Sequence, residues 1–211
     1  MIERVVLKNR EEWLKQRKRI GGSDAAALVG MNPYMNNVEL WEIKTGRKTH
    51  DVADNDSMKY GREAENHLRA LFALDFPQYE IGYIENNMFI NDKYPFAHAS
   101  LDGWIKDQAG RTGILEIKTA TIESTTQKLK WKDKIPDNYY CQVCWYMGVC
   151  EADFAVVKAQ LKMFDNEIIT KHYFIERADV QDDIELLLLK GSEFWQYCKN
   201  DIQPPLVLPT W

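Results

Sequence analysis

The sequence predicts a mixed α/β (α+β) chain built on a central mixed β-sheet flanked by helices. Three observations lead there. Residues 58–75 repeat apolar side chains at helical spacing. From 79 to 119 the pattern turns to short strands separated by turn residues. After residue 137 the order runs helix, two strands, long helix. A sheet in such an arrangement buries its faces against helical layers. At 211 residues, 45% hydrophobic and 28% charged, the chain suits one domain over 1–211 with a full core.

The N-terminal half reads as helices. Residues 10–19 (REEWLKQRKR) have Trp13 and Leu14 as apolar positions, with Lys15, Arg17, Lys18 and Arg19 as a basic cluster. Ile20-Gly21-Gly22-Ser23-Asp24 then leads into AAALVG. Two glycines before Ser-Asp predict a flexible turn into a helix, with Ser23 or Gly22 as cap. Free N–H groups there favour an anion, and Arg17 could clamp a phosphate; a plain helix start with Arg17 on the surface fits the same letters. Asn32-Pro33-Tyr34 is a turn, residues 37–45 form a helix closed by Gly46, and 47–56 is a polar loop without apolar anchors. In helix 58–75, Tyr60, Ala64, Leu68, Leu71 and Phe72 make the apolar stripe. Glu65 lies at its edge and points inward, unlike Glu63. An ionised Glu near a core needs a partner: a metal site, or a surface salt bridge with Arg62 or Arg69.

Strands are expected over 80–90, 96–106 and 112–119, with turns at Asn86-Asn87, Asp92-Lys93 and 107–110. Pro95 opens the strand that leads to Asp102. His98 reads as a packing residue, since hard metals prefer oxygen. Residues 120–136 form a polar connection in which Trp131 stands among Lys128, Lys130, Lys132 and Lys134. That mixture suits a nucleic-acid edge or a solvated amphipathic helix. Residues 137–148 are an apolar helix capped by Asp137, with Gln142 as the polar residue in its middle. Gln142 either bonds the reacting region or is a core amide bonded to backbone. Cys141 and Cys144 read as small core residues, because no second C-x₂-C or His pair completes a zinc site. Residues 152–162 and 166–176 form a meander through Asp165-Asn166. A last helix, 178–199, holds Gly191, and a Pro-rich tail, 201–211, ends in Trp211. That tail can pack on its own domain or on a neighbouring subunit.

Composition excludes several classes. No apolar run reaches the length of a membrane span, and MIERVVLKNREEW has no hydrophobic signal region. Four cysteines without a disulfide framework agree with a reducing cytoplasm. A net charge of −5 argues against unspecific coating of nucleic acid, yet allows local phosphate contacts.

The chemistry concentrates in residues 98–119, read as a hairpin. One strand ends in Ser-Leu-Asp-Gly (100–103) and the next carries Leu-Glu-Ile-Lys (115–118). Strand side chains alternate, so Glu116 and Lys118 share a face while Leu115 and Ile117 go to the other, the core. Two carboxylates converging on one point suit a hard divalent cation. A neighbouring lysine can position a water and offset developing charge. An exposed hairpin with a solvated Glu–Lys face is the alternative. This D…ExK pattern resembles the PD-(D/E)xK nuclease superfamily.

The order of the motifs is more specific. Trp13-x₃-Arg17, Ile-Gly-Gly-Ser-Asp (20–24), Tyr-Gly-Arg-Glu-Ala-Glu (60–65), Ser-Leu-Asp-Gly, Leu-Glu-Ile-Lys and Tyr139-x₂-Gln142-Val143-x₂-Tyr146-Met147 together resemble the YqaJ viral recombinase family, of the phage lambda exonuclease type. The resemblance spans about residues 13–150; residues 151–211 supply two strands, the long helix and the tail. It implies a restriction-endonuclease-like core. It implies a metal-dependent 5′-to-3′ exonuclease that degrades linear double-stranded DNA to mononucleotides and leaves 3′ single strands for recombination. Asp102 and Glu116, with the Ile117 carbonyl, would hold Mg²⁺, for which Mn²⁺ substitutes. Glu65 would complete the acidic site directly or through water. Lys118 and Gln142 would position the nucleophile, and Arg17 and Ser23 would bind the 5′-phosphate. The spacing from Arg17 to the Ser-acidic pair is one residue short of the family pattern, which makes Arg19 a rival. Further implications are a homotrimeric ring on DNA ends, a single-strand annealing protein as partner, no membrane, and a phage or prophage origin in a bacterial cytoplasm. A restriction- or repair-type endonuclease and a non-catalytic DNA-end-binding scaffold are the alternatives.

Overall fold

The computed structural model describes residues 1–49, 55–165 and 167–208. In chain order its first elements are β1 (Ile2–Val6), α1 (Arg10–Gln16), α2 (Gly22–Leu28), α3 (Asn37–Lys44) and α4 (Asp56–Asp75). Then come β2 (Glu80–Gly82), β3 (Asn87–Asn91), β4 (Gly103–Lys106), β5 (Thr112–Thr121) and α5 (Thr125–Lys130). The chain continues through α6 (Asp137–Val149), β6 (Phe154–Lys162), β7 (Ile168–Glu176) and α7 (Arg177–Asn200).

Five strands form one mixed sheet in the order β2-β4-β5-β6-β7, and β1 pairs separately with β3. A hairpin is present, with β4 and β5 antiparallel and Gly103 opposite Leu115, but Ser-Leu-Asp-Gly leads into its first strand and does not end it. Strands β5 and β6 run parallel. A parallel neighbour needs a crossover, and α5 and α6 supply it. The alternation along β5 divides the core. Leu115 and Ile117 pack with Ala64, Leu68 and Phe72 of α4, while Ile114 joins the larger cluster with Trp145, Met147 and Ile184. Glu116 and Lys118 have the parity of Ile114, so they face α6.

Several expectations need correction. The predicted strand 80–90 is two strands in different sheets, broken where Asn86 takes a positive φ of 56°. The predicted strand 96–106 is regular only from Gly103; before it, Ala97 bridges Ile20 and Ala99 bridges Phe89, so the backbone splits its bonds between two partners. Strand β1 was not foreseen. The stripe on α4 is narrower than read, because Tyr60 and Leu71 are about half exposed. Helix α6 is capped by Pro136, with Asp137 in the first turn, where its charge favours the helix dipole. Trp131 is buried between Tyr139 and Tyr173 and offers no stacking face to a base.

Other expectations stand. Cys141 and Cys144 are buried in the core, and so is His98. Gly46 takes a φ of 77° just past α3, the left-handed position that favours glycine. The tail packs on its own chain through residue 208: Asn37 donates to the Pro205 carbonyl (2.7 Å) and accepts from the Val207 N–H (2.9 Å). Asn166 of the expected turn, part of the 47–56 loop and Trp211 lie outside the described residues. Among the described residues no helix is long and apolar enough to cross a membrane.

Gly191 fixes how α7 meets α6. A Cβ there would lie 2.5 Å from the Trp145 ring and 3.0 Å from Phe96, and Trp145 has no exposed surface into which to retreat. Overpacking a core costs about 1–3 kcal/mol, more than the roughly 1 kcal/mol that alanine gains in a helix. Gly191→Ala should therefore lower the urea midpoint; a raised midpoint would contradict this packing.

Candidate active site

The carboxylates meet where β4 begins. Asp102 sits just before that strand, and its Oδ2 accepts the Ile117 N–H at 2.8 Å, which aims it at β5. Glu116 is 2% exposed. Its Oε1 accepts from Lys118 Nζ (2.6 Å) and Gln142 Nε2 (2.7 Å). Its Oε2 is buried and, among the described residues, has no hydrogen-bond partner. Gln142 Oε1 accepts from Lys118 (3.0 Å), and its Nε2 also donates to the Tyr146 hydroxyl (3.0 Å). The amide thus holds Lys118 with one end and Glu116 with the other.

Glu65 arrives from α4. Gly61 lets that helix approach β5, since a Cβ there would be 3.1 Å from Thr119 Oγ1. Glu65 lines the cleft and is ion-paired with Arg69, the salt bridge that was one of the two partners read from the sequence. Arg69 also donates to the Asp102 carbonyl (2.6 Å) and to Asn66 (2.7 Å), and its guanidinium lies 3.4 Å over the Tyr83 ring. Ser23, Glu65, Asp102, Glu116, Lys118 and Gln142 line one cleft of about 960 Å³.

Electrostatics follow from this crowding. Burial raises the Asp102 carboxyl well above its ordinary range, and Glu116 and Glu65 add to the rise. Burial also raises Glu116, against the opposing pull of Lys118. Burial alone would lower Lys118, but Glu116 and Asp102 hold its pKa above the usual value. Tyr146 is pushed far up by burial and by the same two carboxylates, so its hydroxyl stays neutral.

A divalent metal fits this donor set. Among the described residues no three His, Cys, Asp or Glu side chains converge closely enough to cage an ion. A hard cation that keeps several waters needs only one or two carboxylates. The unpartnered Glu116 Oε2, beside a carboxylate disfavoured in its charged form, is an acceptor of that kind.

The Gly-Gly-Ser-Asp turn forms one wall. Its N-cap is Gly21, not Ser23 or Gly22, and Asp24 reaches back to the Gly21 N–H (2.9 Å). The glycines serve close packing and not flexibility. A Cβ on Gly21 would lie 2.8 Å from the His98 ring, and one on Gly22 would lie 2.3 Å from the Tyr146 ring. Arg17 donates to Ser23 Oγ (2.9 Å) and lies 4.7 Å over the Trp13 ring. Trp13 in turn donates to Ser100 (3.0 Å), which ties α1 to the Asp102 loop. Arg19 turns away, with its Nε on the Pro95 carbonyl (2.9 Å).

Sequence reasoning missed four of these supports. Tyr146 stands one helical turn after Gln142, a spacing that could have signalled it. Arg69 follows Glu65 at the same spacing but was weighed only as a surface pair, not as a bond to Asp102. Lys44 carried no signal. Its side chain is 6% exposed, pairs with Asp24 (2.7 Å) and donates to the carbonyls of Arg17 (3.3 Å) and Arg19 (2.9 Å). Burial pushes the Asp24 carboxyl up, yet Lys44 and Arg17 hold it below its usual value. The Trp13–Ser100 bond joins residues 87 apart, beyond any local pattern.

The chain is similar to "Uncharacterized protein YqaJ" of Bacillus subtilis (strain 168), with 29% identity over 191 residues. That match covers 89% of this chain but 56% of the relative, so the chain spans just over half of that protein's length. Among solved structures it is similar to an alkaline exonuclease, LHK-Exo, from Laribacter hongkongensis: TM-score 0.66, 19% identity, 90% of this chain and 93% of that one. LHK-Exo in complex with dAMP gives 0.68 at 17% identity, over 92% and 94% of the two chains. A phage-related exonuclease from Haemophilus somnus 129PT gives 0.54 at 12% identity, over 87% and 96%. At such identities these structures speak for a shared fold. The model of the YqaJ-like viral recombinase domain matches residues 12–153, well over half of the chain, and the protein belongs to that family.

Proposed function

We propose that the chain is a divalent-metal-dependent DNA exonuclease. It hydrolyses linear duplex DNA from 5′ ends, releases mononucleotides and leaves 3′ single strands for recombination. One observation carries this reading: Glu65, Asp102, Glu116, Lys118 and Gln142, from separate helices and the sheet, line one cleft in which, among the described residues, a buried Glu116 oxygen lacks a partner. Membership of a recombinase family and a fold shared with exonucleases support it.

Asp102 and Glu116, with the Ile117 carbonyl and with Glu65 directly or through water, would hold Mg²⁺ or, in its place, Mn²⁺. When bound, such a cation polarises a phosphoryl oxygen and makes a nearby water more acidic. The remaining work falls to the protein. Lys118 Nζ has N–H groups to donate to the oxygen on which charge develops, and Gln142 keeps that ammonium aimed. Arg17 and Ser23 would take the terminal 5′-phosphate, and a guanidinium beside a hydroxyl suits that load. Arg19, engaged with Pro95, is the weaker candidate. The homotrimeric ring, the single-strand annealing partner and the phage or prophage setting in a bacterial cytoplasm belong to the same proposal.

A linear duplex with a 5′-phosphate should be consumed in Mg²⁺ and spared in chelator, while covalently closed circles survive. Cutting of closed circles would favour the endonuclease alternative; end binding without hydrolysis would favour the scaffold. Lys118→Ala should lower the rate about 10²–10³-fold, the range for losing one transition-state donor, with little change in affinity for the DNA end. A loss of affinity equal to the loss of rate would contradict that role.

A further inference from the structure

The stretch after the candidate catalytic strand is cationic, exposed and firmly held. Residues 124–135 contain four lysines and one aspartate in a chain of net charge −5. Every residue from 123 to 134 except Trp131 is exposed. Lys132 and Lys134 lie 3.9 and 3.2 Å from Asp133 and Asp137. Among the described residues Lys128 and Lys130 have no acidic partner.

Such a segment would ordinarily drift, since it buries almost nothing. Here its base is pinned. The Trp131 carbonyl accepts from Lys171 Nζ (2.7 Å) and the Tyr173 hydroxyl (2.5 Å), and the Lys132 carbonyl accepts from Lys171 (2.9 Å). The Trp131 ring packs 5.6 Å from Tyr139. Tyr139 lines the cleft and carries Lys118 Nζ 4.7 Å over its ring. A cationic arm is therefore fixed to the wall of the cleft, one aromatic ring away from Lys118.

We propose that this arm, through Lys128, Lys130 and Lys132, grips the sugar–phosphate backbone of the duplex beside the cleft. The inference rests on the nuclease reading of the cleft. Duplex DNA offers one negative charge about every 1.7 Å, and lysines act on it as point charges that fix position without reading sequence. A local positive arm on an acidic protein confines that attraction to the side of the molecule where the DNA is needed.

The test replaces Lys128, Lys130 and Lys132 together with Gln, which has a similar helix preference. Binding of a 5′-phosphorylated duplex is measured between about 50 and 200 mM salt, with Ca²⁺ instead of Mg²⁺ to hold off cleavage. Each phosphate contact contributes about 0.9 to the slope of log K against log salt. The variant's slope should be shallower by about 2–3, and its affinity at low salt should fall about tenfold or more. An unchanged slope overturns the proposal. So does an equal change when Lys106, Lys190 and Lys199 are replaced by Gln, because that would be an effect of total charge. Thermal unfolding checks folding; should the triple variant unfold, Lys128→Gln with Lys130→Gln gives the same reading by about half. If the unmodified protein binds the duplex but does not cut it in Mg²⁺, the nuclease reading fails while the slope still reports on the arm. If it does not bind the duplex, both fail.

Discussion

Two carboxylates and one ammonium share the floor of the cleft, and the rest of the molecule is arranged to keep them there. Removing a carboxylate from water costs several kcal/mol even after relaxation. Glu116 is almost wholly buried, and Asp102 is turned towards it by the Ile117 N–H. Among the described residues Lys118 is the cation paired with Glu116, while Arg69 is occupied by Glu65. Burial pushes the Asp102 and Glu116 carboxyls up, and Glu65 adds to the rise of both. A site optimised for stability alone would fill such a place with apolar side chains. Carboxyl groups whose ionisation is disfavoured by burial, inside a cleft, mark a candidate functional site.

Holding the group together takes rigid contacts from four directions. From the sheet, β4 and β5 set Asp102 opposite Glu116. From α6, Gln142 is fixed by Tyr146, and the Tyr146 ring in turn leaves room only for glycine at position 22. From α4, Arg69 links Glu65 to the backbone of Asp102. Lys44 closes the remaining side by drawing Asp24 and two backbone carbonyls of the 17–19 segment together. The wall that carries Arg17 and Ser23 therefore shares its packing with the floor that carries Glu116. A shift in one must be felt by the other, because close-packed interiors transmit strain.

Much of this was legible in the letters. The parity of Glu116 and Lys118 against Leu115 and Ile117 follows from the two-residue period of a strand, and the core divides accordingly. Glu65 could be told from Glu63 by its place beside a helical stripe, and the family could be read from the order of six short motifs. What escaped was set by partners remote in the chain. Strand β1 exists because β3 pairs with it. The run 80–90 breaks because its two halves find different sheets. Trp131, among lysines, looked like a surface aromatic, yet β7 and α6 bury it. The glycine pair read as a flexible turn because a sequence does not reveal that two rings will press on it.

Asp102 and Glu116 are proposed to hold a divalent cation. Anomalous diffraction from a crystal soaked in Mn²⁺ tests it most directly. An ion is predicted between the Asp102 carboxylate and Glu116 Oε2, at about the 2.1 Å expected for a small hard cation, with Lys118 still within reach of both. A fully ordered cleft in which Mn²⁺ binds elsewhere, or leaves Glu116 Oε2 without a ligand contact, would contradict it.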